Sequence, residues 1–290
     1  MHPAEPGQLT KGPSRSLRGR LHVRLQLDLR LSGKSNLLPI NYQYPLSAAI
    51  YRLLGRAAPQ YAAWLHERGY PAPTGKLLKL FTFSRLWIPN VRRRDDRLLV
   101  PRDVDVTLYV SSPMLYDFIA GLVEGLFLEQ QLTVADARSR VDFTVTGVAA
   151  LPEPRFSSPQ RFRCLSPIVL KTVRERDGRR QTYYYRPEDS ELSEAIRANL
   201  VNKHAAAYGE DLSQAKLQFR LEGDDRPRSR LITLKAGTPE ETRVKAFETW
   251  FTLKGDVRLI RTAYECGIGD HTTQGFGMVE VVKIKPGRGK

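Results

Sequence analysis

The chain has 290 residues, 41% hydrophobic and 9% aromatic, enough apolar material for one large core or two ordinary ones. Its 46 Lys and Arg outnumber 31 Asp and Glu, a formal charge of +15, so a polyanion is the default partner and an anionic membrane surface the rival. No apolar run can span a bilayer, the N-terminal residues lack the apolar core of a secretory leader, and Cys164 and Cys266 alone make neither a disulfide framework nor a Cys-rich zinc site, so a cytoplasmic protein is expected.

In chain order, residues 1–19 are rich in Pro, Gly, Ser and basic side chains and read as a flexible arm; residues 286–290 read as a flexible tail. Apolar and polar residues alternate from Leu21 to Leu31, as in a half-buried strand with His22 on its solvated face. Leu46, Ala49, Ile50, Leu53 and Leu54 recur at helical spacing after Pro45, and Gly55 interrupts the stripe. Pro59 opens a second short helix that Gly69 closes. A loop over Gly69–Gly75 leads to a strand predicted from Lys76 to Leu86, with Lys79, Phe81 and Phe83 on one face. Arg92–Arg97 reads as a solvated hairpin turn and Asp105–Val110 as a strand. Ser112-Pro113 starts a helix to about Glu129, and strands return near Leu132 and over Val141–Val148.

Pro152, Pro154 and Pro159, with Ser157 and Ser158, mark a linker. Beyond it, a strand over Arg163–Thr172 pairs across Asp177-Gly178 with Gln181–Tyr185. A helix runs from Asp189 to Tyr208, with His204 read as solvated or packed. Strands are predicted at Ala215–Leu221, Arg230–Leu234 and Arg243–Leu253, a helix from Asp256 to Cys266, and a last strand over Phe276–Ile284. Each half therefore runs strand, helix, strands, helix, strand. This predicts an α+β chain of two tandem ferredoxin-like (RRM-like) domains, residues 20–150 and 160–285, with antiparallel sheets covered by helices on one face. The uncovered face is the one RNA-recognition modules use.

The most specific local signal is Gly267-Ile268-Gly269-Asp270-His271-Thr272-Thr273-Gln274-Gly275-Phe276-Gly277, two Gly-x-Gly units around five mostly polar residues. A dinucleotide fingerprint is excluded by its place after a helix and before a strand, and a P-loop by the missing Gly-Lys-Ser/Thr ending. Exposed amides of Gly267, Gly269, Gly275 and Gly277, with Thr272, Thr273 and Gln274, are expected to hold phosphates, and His271 to contact RNA. A valine at Gly275 would then harm RNA binding more than stability.

A Gly-hydrophobic-Gly pair, a five-residue gap and a second such pair before the last strand resembles the signature of the RAMP superfamily of CRISPR-associated proteins. The likeness extends to Leu38–Leu46 with Ile50-Tyr51, Leu65-His66-Glu67, Lys79–Ser84, Leu165–Val169, and Asn199-Leu200 with Lys203. In that order, these blocks resemble the stand-alone repeat-processing endoribonuclease of the superfamily. The resemblance implies that Tyr51, His66 and Lys79 form a catalytic set, with Lys76 a rival for Lys79 across the proline-rich loop. It implies cleavage of CRISPR precursor RNA within the repeat to give guide RNAs.

Metal-free RNA cleavage needs a base for the 2′-hydroxyl, an acid for the leaving 5′-oxygen and a donor for the charged phosphate; it leaves a 2′,3′-cyclic phosphate and a 5′-hydroxyl. Tyr51, His66 and Lys79 supply those functions without a metal or cofactor. The alternative is a non-catalytic RNA-binding subunit of an effector complex, which would share the glycine segment and not need the three together. Arg161, Arg163, Lys171 and Arg174 begin a basic stretch followed by Tyr183, Tyr184 and Tyr185, a mixture suited to phosphates and stacked bases. Repeat RNA is the expected partner, other CRISPR effector subunits further ones, and the chain is read as a monomer or homodimer without membrane contact.

Overall fold

The computed structural model describes residues 23–222 and 226–282; the proposed arm, His22 and the proposed tail lie outside the described residues. The Leu21–Leu31 alternation becomes the strand Val23–Leu31, with Leu25, Leu27, Leu29 and Leu31 buried. It lies at the centre of a five-stranded antiparallel sheet ordered Thr82–Phe83, Asp105–Ser112, Val23–Leu31, Arg140–Leu151, Gln131–Ala135. Helices α1 (Gln43–Ala57), α2 (Pro59–Glu67) and α3 (Ala120–Glu129) follow the first and third of the ferredoxin-like strands. The predicted stripe of α1 packs in the core with Leu122 and Leu126 of α3. Gly55 does not interrupt α1, which continues to Ala57. A π-helical turn, Leu115–Ile119, precedes α3, where a single helix from Ser112 is predicted.

The second sheet repeats the order with Leu217–Leu221, Trp250–Gly255, Gln160–Cys164 and Val279–Val281. Helices α4 (Leu192–Tyr208) and α5 (Val257–Cys266) supply Ile196, Leu200, Leu259 and Ile260 to its core. The Asp256 carboxylate caps α5 by accepting from the Arg258 amide at 2.9 Å. In both halves the second strand lies beside the third, the third beside the first and the first beside the fourth, so both are ferredoxin-like.

Three predicted strands break where both of their faces become covered. Lys76–Leu86 splits into Leu77–Leu78 and Thr82–Phe83, with Leu80 between them at φ +45°. Phe81, Thr82, Phe83 and Ser84 are all buried, so no alternating face exists for Lys79 to share. Arg163–Thr172 divides between Gln160–Cys164 in the sheet and Lys171–Arg176, which pairs with Arg179–Tyr184 in a separate hairpin. Arg243–Leu253 divides into Thr242–Glu248, paired with Arg228–Leu234, and Trp250–Gly255 in the sheet.

Polar side chains join the halves. The last carbonyls of α5 have no partner within the helix. Arg24 Nη2 donates to the Tyr264 carbonyl at 2.7 Å, its guanidinium 3.5 Å above the Tyr264 ring, and Ser111 Oγ donates to the Glu265 carbonyl at 3.0 Å. Thr82 Oγ1 reaches the Phe276 carbonyl at 3.0 Å and Ser47 Oγ the Thr273 carbonyl at 2.6 Å. The glycine segment is thereby held against α1 and the Thr82–Phe83 strand.

Candidate functional site

Tyr51 follows Ile50 on α1, and His66 occupies the last turn of α2. Their rings meet edge-on at 5.5 Å. Lys79 follows the short strand Leu77–Leu78; its ammonium lies 6.0 Å from the centre of the Tyr51 ring and donates to the His66 carbonyl. This lysine caps the end of α2, a favourable place for a cation. The structure therefore brings Tyr51, His66 and Lys79 together, whereas Lys76 is exposed in the turn before them.

Their environments differ. The His66 side chain is exposed and reaches solvent. Lys79 is half-buried, and that burial lowers its ammonium below the usual lysine range. Tyr51 is partly buried. Its ring packs on Phe81 at 5.6 Å, and its hydroxyl is buried without a hydrogen-bond partner among the described residues. Burial raises the phenol, so Tyr51 is a proton donor at neutral pH rather than a base. Histidine is the side chain suited to moving a proton there.

The glycine segment departs from its expected role. The amides of Ile268, Asp270, Gln274, Gly275 and Gly277 donate to backbone carbonyls, that of Gly269 to Asn199 Oδ1 at 2.9 Å, and that of Met278 to Ser166 Oγ at 2.9 Å. These amides are not free to cradle phosphates. Gly267, Gly269, Gly275 and Gly277 all have φ between +73° and +84°. A side chain at Gly277 would stand 2.0 Å from the Ile268 carbonyl oxygen, and one at Gly269 2.1 Å from that of Val169. Close backbone approach is what the glycines permit. His271 Nδ1 donates to Gln274 Oε1 at 2.7 Å, while its Nε2 is buried without a partner among the described residues and burial lowers its pKa. That nitrogen is not presented to RNA. Thr272 is buried; Thr273 and Gln274 keep partial exposure.

The packing around Gly275 makes a side chain there a defect of stability before one of binding. At Gly275 a side chain would lie 2.8 Å from the Phe83 ring and 3.2 Å from Gln43 Cγ, at φ +83°. Gly275→Val is expected to cost at least about 2 kcal/mol, from left-handed strain and overpacking together. A thermal melt unchanged from the parent chain would refute this.

Two residues of α4, matched in sequence but without an assigned task, hold this segment. Asn199 clasps Gly269 through both its amide and its carbonyl. Lys203, 4% exposed, donates to the carbonyls of Gly267 and Gly269, each at 2.8 Å. Lys203→Met would take the ammonium from the Gly267 carbonyl and leave the Gly269 carbonyl with the Asn199 amide alone, an expected loss of about 1–3 kcal/mol. Burial lowers the Lys203 ammonium from 10.5 to about 8. Between those pH values the unfolded chain binds the proton and the folded one releases it, so Lys203 adds stability as pH rises. The gap between parent and Lys203→Met, read by denaturant unfolding, should widen from pH 8 towards 10.5.

Of the remaining candidates, Arg161 pairs with Glu222 at 2.8 Å, Arg163 pairs with Glu280, and both lie over the Trp250 ring. They occupy the uncovered face of the second sheet. Arg174 stacks on Tyr183 at 3.7 Å, on the hairpin that also carries Lys171; the Lys171 amide donates to Asp270 at 3.0 Å. Between the halves runs a cleft of about 1040 Å³ whose lining includes Arg85, Trp87, Arg93, Arg163, Arg228 and Arg230. Its acid Glu248 is held by Arg85 and Arg230, each at 3.0 Å. The sequence reading missed Arg85, Trp87, Arg228 and Arg230; Arg93, read as part of a solvated hairpin turn, is exposed on such a hairpin and also borders the cleft. The run Arg226-Pro227-Arg228-Ser229-Arg230 was the available signal. His204 is buried between Thr262 and Glu210, and Cys266 is fully buried. Among the described residues no helix is long and apolar enough to cross a membrane, and no three His, Cys, Asp or Glu are grouped to hold a metal.

Residues 37–149 match the family profile "CRISPR-associated protein Cas6, N-terminal", and residues 151–281 match "CRISPR associated protein Cas6, C-terminal". CRISPR-associated endoribonuclease Cas6 1 of Methanocaldococcus jannaschii is 32% identical over 279 residues, 93% of this chain and 97% of that protein. CRISPR-associated endoribonuclease Cas6 of Pyrococcus furiosus is 27% identical over 250 residues, 84% of this chain and 83% of that protein. A solved structure described as "CRISPR associated protein Cas6" superimposes with a TM-score of 0.70 at 31% identity, covering 91% of this chain and all of the other. A Cas6-related protein from Pyrococcus furiosus shares the fold at a TM-score of 0.74, 23% identity and the same coverage.

Proposed function

Since the chain belongs to the Cas6 family of CRISPR-associated proteins, we propose that it is the endoribonuclease that cleaves CRISPR precursor RNA within the repeat, with the 2′-hydroxyl of the RNA as nucleophile. The meeting of Tyr51, His66 and Lys79 carries this reading. His66 takes the proton from the 2′-hydroxyl and gives it to the leaving 5′-oxygen. Lys79 leaves the His66 carbonyl for the scissile phosphate and neutralises charge gathering there. That movement uncovers Tyr51, whose protonated hydroxyl donates to a phosphate oxygen. The products are a 2′,3′-cyclic phosphate and a 5′-hydroxyl, with no step that requires a metal.

The basic cleft, the Arg161–Arg163 sheet face and the Lys171–Arg174 hairpin offer cations and aromatic rings along which the repeat runs. Incubation with a transcript of the host's own repeat is expected to give one cut within each repeat. The upstream fragment should resist phosphatase until acid opens its cyclic end. Stable binding without any cut would favour the non-catalytic subunit reading instead.

A further inference from the structure

Of the chain's three tryptophans, two have their rings engaged. Trp64 packs on Tyr61 and Tyr70, and Trp250 lies under Arg161 and Arg163. Trp87 differs. It is 63% exposed, and its ring makes no aromatic contact, cation contact or hydrogen bond among the described residues. Its backbone is nevertheless fixed. The Trp87 amide donates to the Thr107 carbonyl at 2.8 Å, and the Thr107 amide donates back at 3.0 Å. A firmly mounted indole left in water forfeits the burial of a large apolar surface unless something covers it.

The local chain path puts it there. Phe83 pairs with Val110 and the Ser84 amide donates to the Tyr109 carbonyl, yet Trp87 faces Thr107. Between Ser84 and Trp87 the chain therefore carries one residue more than its partner strand, a bulge that re-aims the side chains around it. Arg85 lies in that bulge. Its amide leaves the sheet for the Leu165 carbonyl of the second half at 3.1 Å, and its guanidinium meets the Glu248 carboxylate at 3.0 Å. Arg230 meets the other oxygen of Glu248 at 3.0 Å. One buried carboxylate thus holds two half-exposed guanidiniums at once, one from each half of the molecule. Each guanidinium has five N–H donors, so donors remain for a further anion.

Arg85, Trp87 and Arg230 all line the cleft between the halves, and Tyr51, His66 and Lys79 do not. Exposed Val91 and Leu231 line it too. Five arginines and a single acid, the already paired Glu248, face this space. An apolar partner would be matched to the indole and not to the arginines. A single nucleic-acid strand is matched to both, through its bases and its phosphates.

Resting on the RNA-binding part of the reading above, we propose that Trp87, Arg85 and Arg230 form a nucleotide subsite of the cleft, apart from the cleavage centre. One base of the repeat stacks on the indole, and an adjacent phosphate lies on the two guanidiniums. Every base has a π-face, so the subsite holds the strand without choosing the base. It takes a single-stranded part of the repeat, because a base inside a duplex is already stacked on both faces.

The test uses the full chain and repeat RNAs in which each nucleotide in turn is made abasic, read by filter binding. At one position the unmodified protein should lose roughly 5- to 150-fold in affinity, the range of one base–aromatic stack. Trp87→Ala should lose a similar factor on the intact repeat and become indifferent to the abasic change at that position, while Trp87→Phe keeps most of the affinity. Arg85→Ala and Arg230→Ala should each reduce the slope of log affinity against log salt by about 0.7, one phosphate contact, whereas Trp87→Ala leaves the slope unchanged. Parent affinity in Trp87→Ala would overturn the proposal. So would a weakened Trp87→Ala that keeps every abasic penalty, which would make Trp87 a support of the cleft wall. Unchanged salt slopes in both arginine variants would overturn the phosphate half. If the unmodified protein binds no repeat RNA at all, the RNA reading itself falls, and this one with it.

Discussion

His66→Ala is expected to slow cleavage of the repeat by 10²- to 10⁴-fold, the usual contribution of a general acid or base, while the dissociation constant for the repeat stays within a few-fold. The side chain is exposed at the end of α2 and touches Tyr51 only edge-on. Its removal opens no cavity and leaves no buried group unpaired. The carbonyl that Lys79 caps belongs to the His66 backbone, so that contact survives the substitution. In the proposed reading, binding draws on the arginines and lysines of the cleft, the sheet face and the hairpin, none of which depends on an imidazole. Single-turnover rates at saturating protein, set beside a filter-binding isotherm, separate the two effects. A parallel loss of binding would assign His66 to RNA holding.

Replacing the ribose just 5′ of the cut by 2′-deoxyribose is expected to abolish cleavage, with binding nearly intact, and excess EDTA is expected to change neither. The nucleophile decides this result. Tyr51 keeps its proton because its hydroxyl is buried, Lys79 is engaged as a cation, and His66 is the residue proposed to move protons. The 2′-hydroxyl is already beside the phosphate and needs only a base and a charge-stabilising neighbour, so attack within the RNA requires no activated water. Since phosphates and bases remain in the deoxy substrate, it should compete with the natural repeat at similar concentrations. Cleavage of the deoxy RNA, or dependence on a divalent ion, would make water the nucleophile and displace His66 from its role.

Much of the architecture is legible from local pattern. The alternation ending at Leu31, the α1 stripe from Leu46 to Leu54, Pro59 and Gly69 around α2, and the linker prolines at 152–159 each report their own element. Two runs of strand, helix, strands, helix and strand then suffice for a tandem ferredoxin-like order. The candidate centre was less open to such reading. Nothing in the spacing of Tyr51, His66 and Lys79 distinguishes them from a packed tyrosine, a capping histidine and a snorkelling lysine; their resemblance to a family pattern singled them out.

Periodicity shows which face of an element is covered and remains silent about what covers it. From sequence alone came the elements, the two ferredoxin-like units, the basic character suited to RNA, and the glycine segment as the most unusual stretch of the chain. The tertiary structure decided that this segment faces inward. Thr82 bonds Phe276 across 194 positions and Lys203 bonds Gly269 across 66, and these distant partners consume amides and carbonyls that look free in the sequence. It also decided that Arg85, Trp87, Arg93, Arg228 and Arg230 line one cleft, because they come from separate loops and a hairpin that meet only when the two sheets are docked. Tyr51 and Lys79 are set by the same cause. A strand that loses its alternation when both faces are buried turns at Leu80, and that turn carries Lys79 onto the end of α2 above the buried tyrosine.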